Sequence, residues 1–97
     1  MGMGLVPEFN LGRVVITQGA RNVLGEIEIR TALMRHSCGD WGNVPDEDKR
    51  LNDEELASPD GYRVLSSYKS VSGERFWVIT ENIKRNPATT ILLPEEY

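Results

Sequence analysis

The last third of the chain carries the pattern that most restricts its fold. Residues 62–68 and 76–80 each alternate their side chains with the two-residue period of a β-strand, and the SVSGE segment between them supplies small turn residues. A third stretch, TTILL at residues 89–93, is rich in β-branched residues and is closed by Pro94. Because consecutive strands with short connections usually pair with their sequence neighbours, we predict a three-stranded antiparallel meander.

The first half of the chain predicts one more strand and several helices. The RVVIT segment at residues 13–17 is short and β-branched, so we expect it to join the meander as a fourth strand. A threonine cap predicts a short helix at residues 19–24, and an apolar stripe with helical spacing predicts another at residues 28–37. Residues 45–57 predict one broken helix or two short ones, because a second capping signal lies within them.

Together these elements predict the α+β class, with an antiparallel sheet of three to four strands and short helices packed on one face. The sheet combines the C-terminal meander with the N-terminal strand. We expect the helices to cover the side that bears Leu65, Ile79 and Leu92. The opposite side, with the aromatic residues Tyr68 and Phe76, is then expected to stay partly open.

Length and composition indicate a single domain. With 97 residues, of which 39% are hydrophobic and 27% charged, the chain matches an ordinary globular domain, and two halves would each have too small a core. We predict a flexible lead-in at residues 1–10 and one α+β domain at residues 11–97. No apolar run reaches the roughly 20 residues that span a bilayer. The single cysteine fits a reducing, cytoplasmic setting.

Acidic charge is concentrated in one segment. The formal net charge is −4, and residues 46–55, DEDKRLNDEE, hold six acids and two bases, which give the same value. This balance argues against direct binding of nucleic acid, whose phosphates require clustered Lys and Arg. Such a segment is typical of a solvated helix face. The alternative is a surface that imitates the phosphates of DNA and binds another protein.

The densest group of chemically active side chains is HSCGDWG at residues 36–42. Zinc sites usually draw paired ligands from two separate segments, and the chain has one His and one Cys, so we predict no metal and no cofactor. Cys38 as a nucleophile would need a base beside it, whereas His36 on the same helix would point about 200° away. We therefore favour a helix terminator in which a partly buried His36 bonds the backbone or a carboxylate, and Trp41 packs on the core.

Two sets of residues are candidates for a functional role, and neither is assigned a catalytic one. The first is a polar cluster, functional or structural, at the junction of helices and sheet: His36, Asp40, Trp41, Asp48, Asn52 and Arg63. The second is a partner surface on the acidic segment and the open sheet face: Asp46, Glu47, Asp48, Asp53, Glu54, Glu55, Tyr62, Tyr68 and Phe76. A homodimer that buries the same aromatic side chains is the alternative.

Six short motifs occur in order along the chain. They are TxGA at 17–20, LxRHxxGDWG at 33–42, DKxxN at 48–52, RxLSxY at 63–68, WVITE at 77–81 and TTILLPEEY at 89–97. With these motifs the chain resembles a family of small bacterial proteins labelled "plasmid-related protein", which occur on plasmids, integrative elements and phage-derived DNA. The segment that follows the first motif and the loop at residues 80–88 depart from the family pattern. Both lie between elements, so they affect loop-borne specificity more than the fold.

The resemblance implies a protein carried on mobile DNA. We predict a non-enzymatic accessory protein that acts through an unidentified protein partner, with inhibition of a restriction or CRISPR system as one form. The alternative is a small enzyme or ligand-binding domain whose site gathers His36, Asp40, Asp48, Asn52 and Arg63. The first hypothesis expects these groups to saturate one another and the loop backbone. The second expects a cleft in which the imidazole and an acid face solvent.

Overall fold

The computed structural model describes residues 6–97, and these residues form three α-helices, one four-stranded sheet and a C-terminal 3₁₀ turn. The strands are β1 (Arg13–Ile16), β2 (Arg63–Lys69), β3 (Arg75–Glu81) and β4 (Ala88–Leu92). The helices are α1 (Gln18–Val23), α2 (Glu26–Ser37) and α3 (Asp46–Ala57), and the 3₁₀ turn is Pro94–Glu96. These elements confirm the α+β class. No helix in this part of the chain is long and apolar enough to cross a membrane.

The strands form one mixed sheet in the order β1-β4-β3-β2. The antiparallel meander is confirmed, because β3 pairs antiparallel with both β2 and β4. For β1 the antiparallel prediction is wrong: this strand lies parallel to β4, with Val14 beside Thr89. Parallel neighbours need a long connection, and all three helices lie on the chain between β1 and the meander.

Local capping signals explain where the helices begin. Thr17 accepts a hydrogen bond from the backbone N–H of Ala20 (3.2 Å) and caps α1. Three acidic residues occupy the first turn of α3, where they face the positive end of the helix dipole. This helix is continuous and is not broken as predicted, because Asn52 is not used as a cap. Its side chain bonds the backbone of Leu65 in β2 instead.

The helices cover the opposite face of the sheet from the one predicted. The main core lies between α1, α2 and the side of the sheet that bears Val78 and Ile91. Tyr68 and Phe76 belong to this covered side and are each 2% exposed, so placing them on an open partner surface is wrong. The physical reason is that this side of the sheet carries the large apolar side chains that pack under α1 and α2, together with the hydroxyl groups that bond His36 of α2.

The segment before β1 contacts the core although it has no regular secondary structure. Glu8 donates its backbone N–H to the carbonyl of Ser37 (2.7 Å). The ring of Phe9 stacks on Trp41 with 6.2 Å between the ring centroids. Residues 1–5 of the predicted flexible lead-in lie outside the described residues, and residues 6–10 are tied to the end of α2 and the loop that follows it.

The outer edge of β2 is closed by side-chain and loop contacts. Asn52 of α3 accepts the N–H of Leu65 (3.2 Å) and donates to its carbonyl (2.9 Å), as a neighbouring strand would. Ser67 exchanges backbone hydrogen bonds with Trp41 (3.1 Å) and Asn43 (2.7 Å). Because open strand edges invite pairing with other chains, these contacts protect β2. Helix α3 therefore lies along this edge, where its Leu56 packs against a second core cluster formed by Trp41, Val44, Val64 and Ile83.

Candidate functional site

The single histidine of the chain lies at the centre of a buried hydrogen-bond network. His36, in the last turn of α2, is fully buried, and its Nδ1 lies 2.6 Å from the hydroxyl of Ser66. Its Nε2 lies 2.9 Å from the hydroxyl of Thr80, which is 2.7 Å from that of Thr89. Thr89 in turn donates to the carbonyl of Leu11 (2.7 Å). The network joins α2 to three strands and to the segment before β1.

The last bond of this network fixes the proton positions along it. Because Thr89 donates its proton to a carbonyl, which only accepts, the Thr89 oxygen must accept the proton of Thr80. The Thr80 oxygen then accepts from the Nε2–H of His36, and Nδ1 accepts the hydroxyl proton of Ser66. His36 is therefore the neutral Nε2–H tautomer, and both of its ring nitrogens are bonded inside the protein.

Burial also sets the charge of His36. Desolvation of the imidazole lowers its pKa to about 3, so the ring is neutral at physiological pH. Phe9 and Trp41 stand edge-on to the ring, with centroids 5.3 and 5.6 Å away. The predicted backbone or carboxylate partners are thus replaced by hydroxyl groups. A fully buried ring faces no cleft, which removes His36 from any solvent-facing site.

The loop after α2 is held together by its own polar groups. Arg35 forms a two-point ion pair with Asp40 (2.7 and 3.2 Å), which holds the pKa of the Asp40 carboxyl below its ordinary value. Asp40 also accepts the N–H of Gly42, whose φ of +74° and close approach to the backbone of β2 require a residue without a Cβ. Trp41 is buried and donates its indole N–H to Asp53 (2.9 Å). These contacts anchor the end of α2 to the sheet.

The structure divides the predicted polar cluster among three places. His36 is in the core, and Asp40 and Trp41 lie in the loop after α2. The remaining three residues line a hollow of about 170 Å³ between α3 and β2: Asp48, Asn52 and Arg63. Two of these side chains already have partners there, since Asn52 bonds β2 and Arg63 donates to the Tyr97 hydroxyl (2.6 Å). Within residues 6–97, no three His, Cys, Asp or Glu side chains are placed to hold a metal ion.

The acidic segment forms the exposed side of α3, where much of its charge is paired locally. Arg50 bridges Glu47 (2.5 Å) and Glu54, and Lys49 lies 4.0 Å from Asp46. Such exposed pairs contribute little stability, but they reduce the field that a partner would meet. This pairing weakens the segment as an imitation of DNA phosphates.

Two further acids of this segment brace neighbouring structure. Asp53 accepts the indole N–H of Trp41, as described above. Glu55 accepts the backbone N–H groups of Tyr62 (2.7 Å) and Arg63 (3.2 Å), and these bonds lower the pKa of its carboxyl. The ring of Tyr62 itself stays exposed. The acidic part of the predicted partner surface is therefore partly engaged in holding α3 to the edge of the sheet.

The sheet face away from α1 and α2 has features that the sequence did not single out. We call it the uncovered face and define it by Leu65, Trp77, Thr90 and Tyr97. The first three are partly exposed, and the Tyr97 ring stands edge-on to Trp77 with 5.5 Å between centroids. A hollow of about 120 Å³ opens here, lined by Ile79, Glu81, Thr90, Leu92 and Tyr97. The alternation in the sequence defines this face but does not reveal which of the two faces is free.

The ends of the uncovered face are charged. The strand register places Arg63 opposite Glu81 at one end, and Lys69 opposite Arg75 at the other. Three bases and one acid thus border an apolar centre, although the whole chain has a net charge of −4. An apolar centre with a charged rim is the usual composition of a protein-binding surface.

Comparisons of the chain with protein-family models, with curated proteins and with solved structures found no match.

Proposed function

We propose that this protein is a non-enzymatic accessory factor of mobile DNA that binds another protein through its uncovered face. The hollow beside Tyr97 carries the proposal, because it opens to solvent, is largely apolar and is lined by residues of the two central strands, β3 and β4. Binding energy in protein interfaces is concentrated in a few anchor side chains that fill such hollows. The partner that fits is a protein with an apolar anchor side chain and acidic residues placed to meet Lys69 and Arg75.

The state of His36 supports a binding role over a catalytic one. Histidine is the side chain best suited to acid–base chemistry near neutral pH, and here both of its nitrogens are bonded within the core. The alternative function, a small enzyme or ligand-binding domain, requires His36, Asp40, Asp48 and Arg63 in one cleft. Their separation among core, loop and α3 hollow weighs against it.

The biological setting is supported by the resemblance alone. The resemblance implies a protein carried on plasmid or phage-derived DNA, so inhibition of a restriction or CRISPR complex is the form of the function to test first. The single cysteine, which has no disulfide partner in the chain, supports action in the cytoplasm.

The test is inhibition of DNA cleavage by a purified type I restriction enzyme and by a purified CRISPR effector complex. Three variants are compared with the wild-type chain. Thr90→Glu places a charge in the hollow of the uncovered face. Ile27→Glu makes the same charge change on α2, where the side chain is 79% exposed, and is the matched control. Asp48→Lys changes the acidic segment.

Inhibition that is lost in Thr90→Glu and retained in Ile27→Glu supports the proposal, provided that both variants melt as the wild type does. Inhibition that is lost in Asp48→Lys alone would indicate that α3, not the uncovered face, binds the partner. Equal loss in all three variants, or no inhibition and no complex by the wild-type chain, would overturn it. Binding to single-stranded RNA through Trp77 and Tyr97 would also overturn it, because exposed sheet aromatics flanked by bases can stack on nucleotides.

A further inference from the structure

We propose that two copies of this chain pair antiparallel through β1 and so form one continuous eight-stranded sheet. The inference deepens the proposed function and rests on it in one respect, since the pairing would join two uncovered faces into a single binding platform. It depends on three observations about β1: its free backbone groups, its exposed valines and the charges at its ends.

The outer edge of β1 is open, in contrast to that of β2. The backbone N–H groups of Arg13 and Thr17 donate toward β4, at the carbonyls of Pro87, which directly precedes that strand (3.4 Å), and Ile91 (3.0 Å). In a parallel pair alternate residues bond the same neighbour, so the N–H and C=O groups of Val14 and Ile16 point away from β4. Among the described residues, none bonds these groups. They form a template for another strand.

A second β1 satisfies these groups in a symmetric way. With Val15 opposite Val15 of the second copy, Val14 of each chain lies opposite Ile16 of the other. Each such pair exchanges two backbone hydrogen bonds, which gives four across the two-fold axis. Val15 is 48% exposed on the single chain, and in this register the two Val15 side chains meet directly on the uncovered side of the sheet.

The charges at the ends of β1 match the same register. Arg13 then lies opposite Thr17 of the second copy, and the Thr17 hydroxyl donates to the Glu96 carboxylate (2.5 Å). That bond, with the N–H groups of Leu93 and Gly19, holds the pKa of Glu96 below its ordinary value, so the group is ionised. Within residues 6–97, neither Arg13 nor Glu96 forms an ion pair. Pairing brings two Arg13–Glu96 contacts together, one on each side of the axis.

The consequence for the uncovered face is geometric. Across the sheet, Val15, Thr90, Ile79 and Leu65 form one row of neighbouring side chains on that face. In the paired sheet the row continues through Val15 into the second copy, which doubles the apolar surface. Only residues 13–17 and Glu96 of each chain form the contact, so it falls at the small end of protein interfaces and the dimer fraction should depend on concentration.

The experiment measures the oligomeric state of the full chain by sedimentation from micromolar to millimolar concentration. The wild type is expected to shift from monomer to dimer. Val15→Lys, which sets two like charges against each other, should raise the dimer dissociation constant by about ten-fold or more, and Arg13→Glu should act in the same direction. Val71→Lys, at an 87% exposed site in the β2–β3 turn, is the control and should dimerise normally.

Oxidative cross-linking supplies a second reading that does not depend on these charge variants. In a Cys38→Ser background, Val15→Cys should form an interchain disulfide, because opposed residues without mutual backbone bonds bring their Cβ atoms within reach. Val71→Cys, although more exposed, should remain reduced. A chain that stays monomeric at all concentrations, or one in which both cysteines cross-link equally, refutes the pairing.

The two proposals fail separately. If the wild type is monomeric and Thr90→Glu still abolishes partner binding, self-pairing is refuted and the proposed binding face stands. If the wild type dimerises and Thr90→Glu still inhibits DNA cleavage as the wild type does, the pairing is supported and the proposed function is refuted. A monomeric wild type that loses its partner on Val15→Lys would show that a strand of another protein occupies β1, which also refutes self-pairing.

Discussion

The buried His36 network predicts that the protein loses stability across the pH range in which an exposed histidine titrates. In the unfolded chain the pKa of His36 is 6.5, whereas burial lowers it to about 3 in the folded protein. Unfolding therefore takes up a proton below pH 6.5. The contribution of the neutral ring to stability is complete above that pH and is lost progressively as the pH falls toward 3.

The expected size of the loss follows from the uptake of one proton. It approaches about 1.4 kcal/mol per pH unit below the unfolded pKa, and it totals about 1.4 kcal/mol between about pH 7.5 and about pH 5.5. This is roughly a tenth to a quarter of the stability of a small domain. The window isolates His36, the single histidine of the chain, because the carboxyl groups of Asp40, Glu55 and Glu96 have lowered pKa values and titrate at lower pH.

The assay is urea unfolding followed by tryptophan fluorescence, repeated across this window, since Trp41 is buried in the folded protein. His36→Gln is the control, because its amide keeps a donor and an acceptor but does not titrate. The free energy of unfolding of the wild type should decrease as the pH is lowered, whereas that of His36→Gln should stay constant. If the variant does not fold, NMR of the wild-type imidazole gives the same answer, since the folded ring should not titrate in this window.

Two results would refute the reasoning. One is a wild-type free energy of unfolding that does not change between about pH 7.5 and about pH 5.5. The other is an imidazole in the folded protein that titrates near its ordinary pKa. Either result would mean that water reaches His36, and the assignment of the neutral Nε2–H tautomer would then fail as well.

The remaining predictions concern stability and are read from the same unfolding curves. Thr80→Val removes the acceptor of His36 and should lower the free energy of unfolding by about 1–3 kcal/mol, whereas Thr90→Val on the uncovered face should change it by less than about 0.5 kcal/mol. Equal losses of stability in Thr80→Val and Thr90→Val would contradict the His36 hydrogen-bond network. Gly42→Ala should lower the free energy of unfolding by about 2 kcal/mol or more, because an added Cβ would lie 2.1 Å from the Ser67 carbonyl oxygen at a φ of +74°. An unchanged free energy would show that the loop can move to make room. Asn52→Leu leaves the backbone N–H and carbonyl of Leu65 unbonded and should lower the free energy of unfolding by about 1–3 kcal/mol. No loss would mean that water takes the place of the amide.

Local signals in the sequence located most of the secondary structure. The two-residue alternation placed β2 and β3 within a residue of their observed bounds, and the threonine cap located the start of α1. The one error of this kind was the break predicted near Asn52, where a capping signal was read from spacing alone. The Asn52 side chain bonds the backbone of Leu65 at the edge of β2 instead, and only the packed structure brings Asn52 and Leu65 together.

The candidate site was harder to predict, because its residues act through partners far away in the chain. The helix period placed His36 on the buried stripe of α2, but the hydroxyls that bond it come from Ser66 and Thr80 in two different strands. Serine and threonine are common in strands and give no sign that they will meet a histidine. Trp77 and Tyr97 were missed as surface residues for a related reason, since each contact spans separate elements.

The sequence by itself determined the α+β class, the order of the elements and the meander, because these depend on side-chain periods and turn residues that act over a few positions. Only the tertiary structure decided which face of the sheet the helices cover and that β1 runs parallel to β4. An alternating strand has two sides, and a short strand can pair in either direction. The covered face is chosen by the packing of α1 and α2 and by the hydrogen bonds of His36, and the direction of β1 by its ladder with β4. Both are long-range contacts that no local pattern contains.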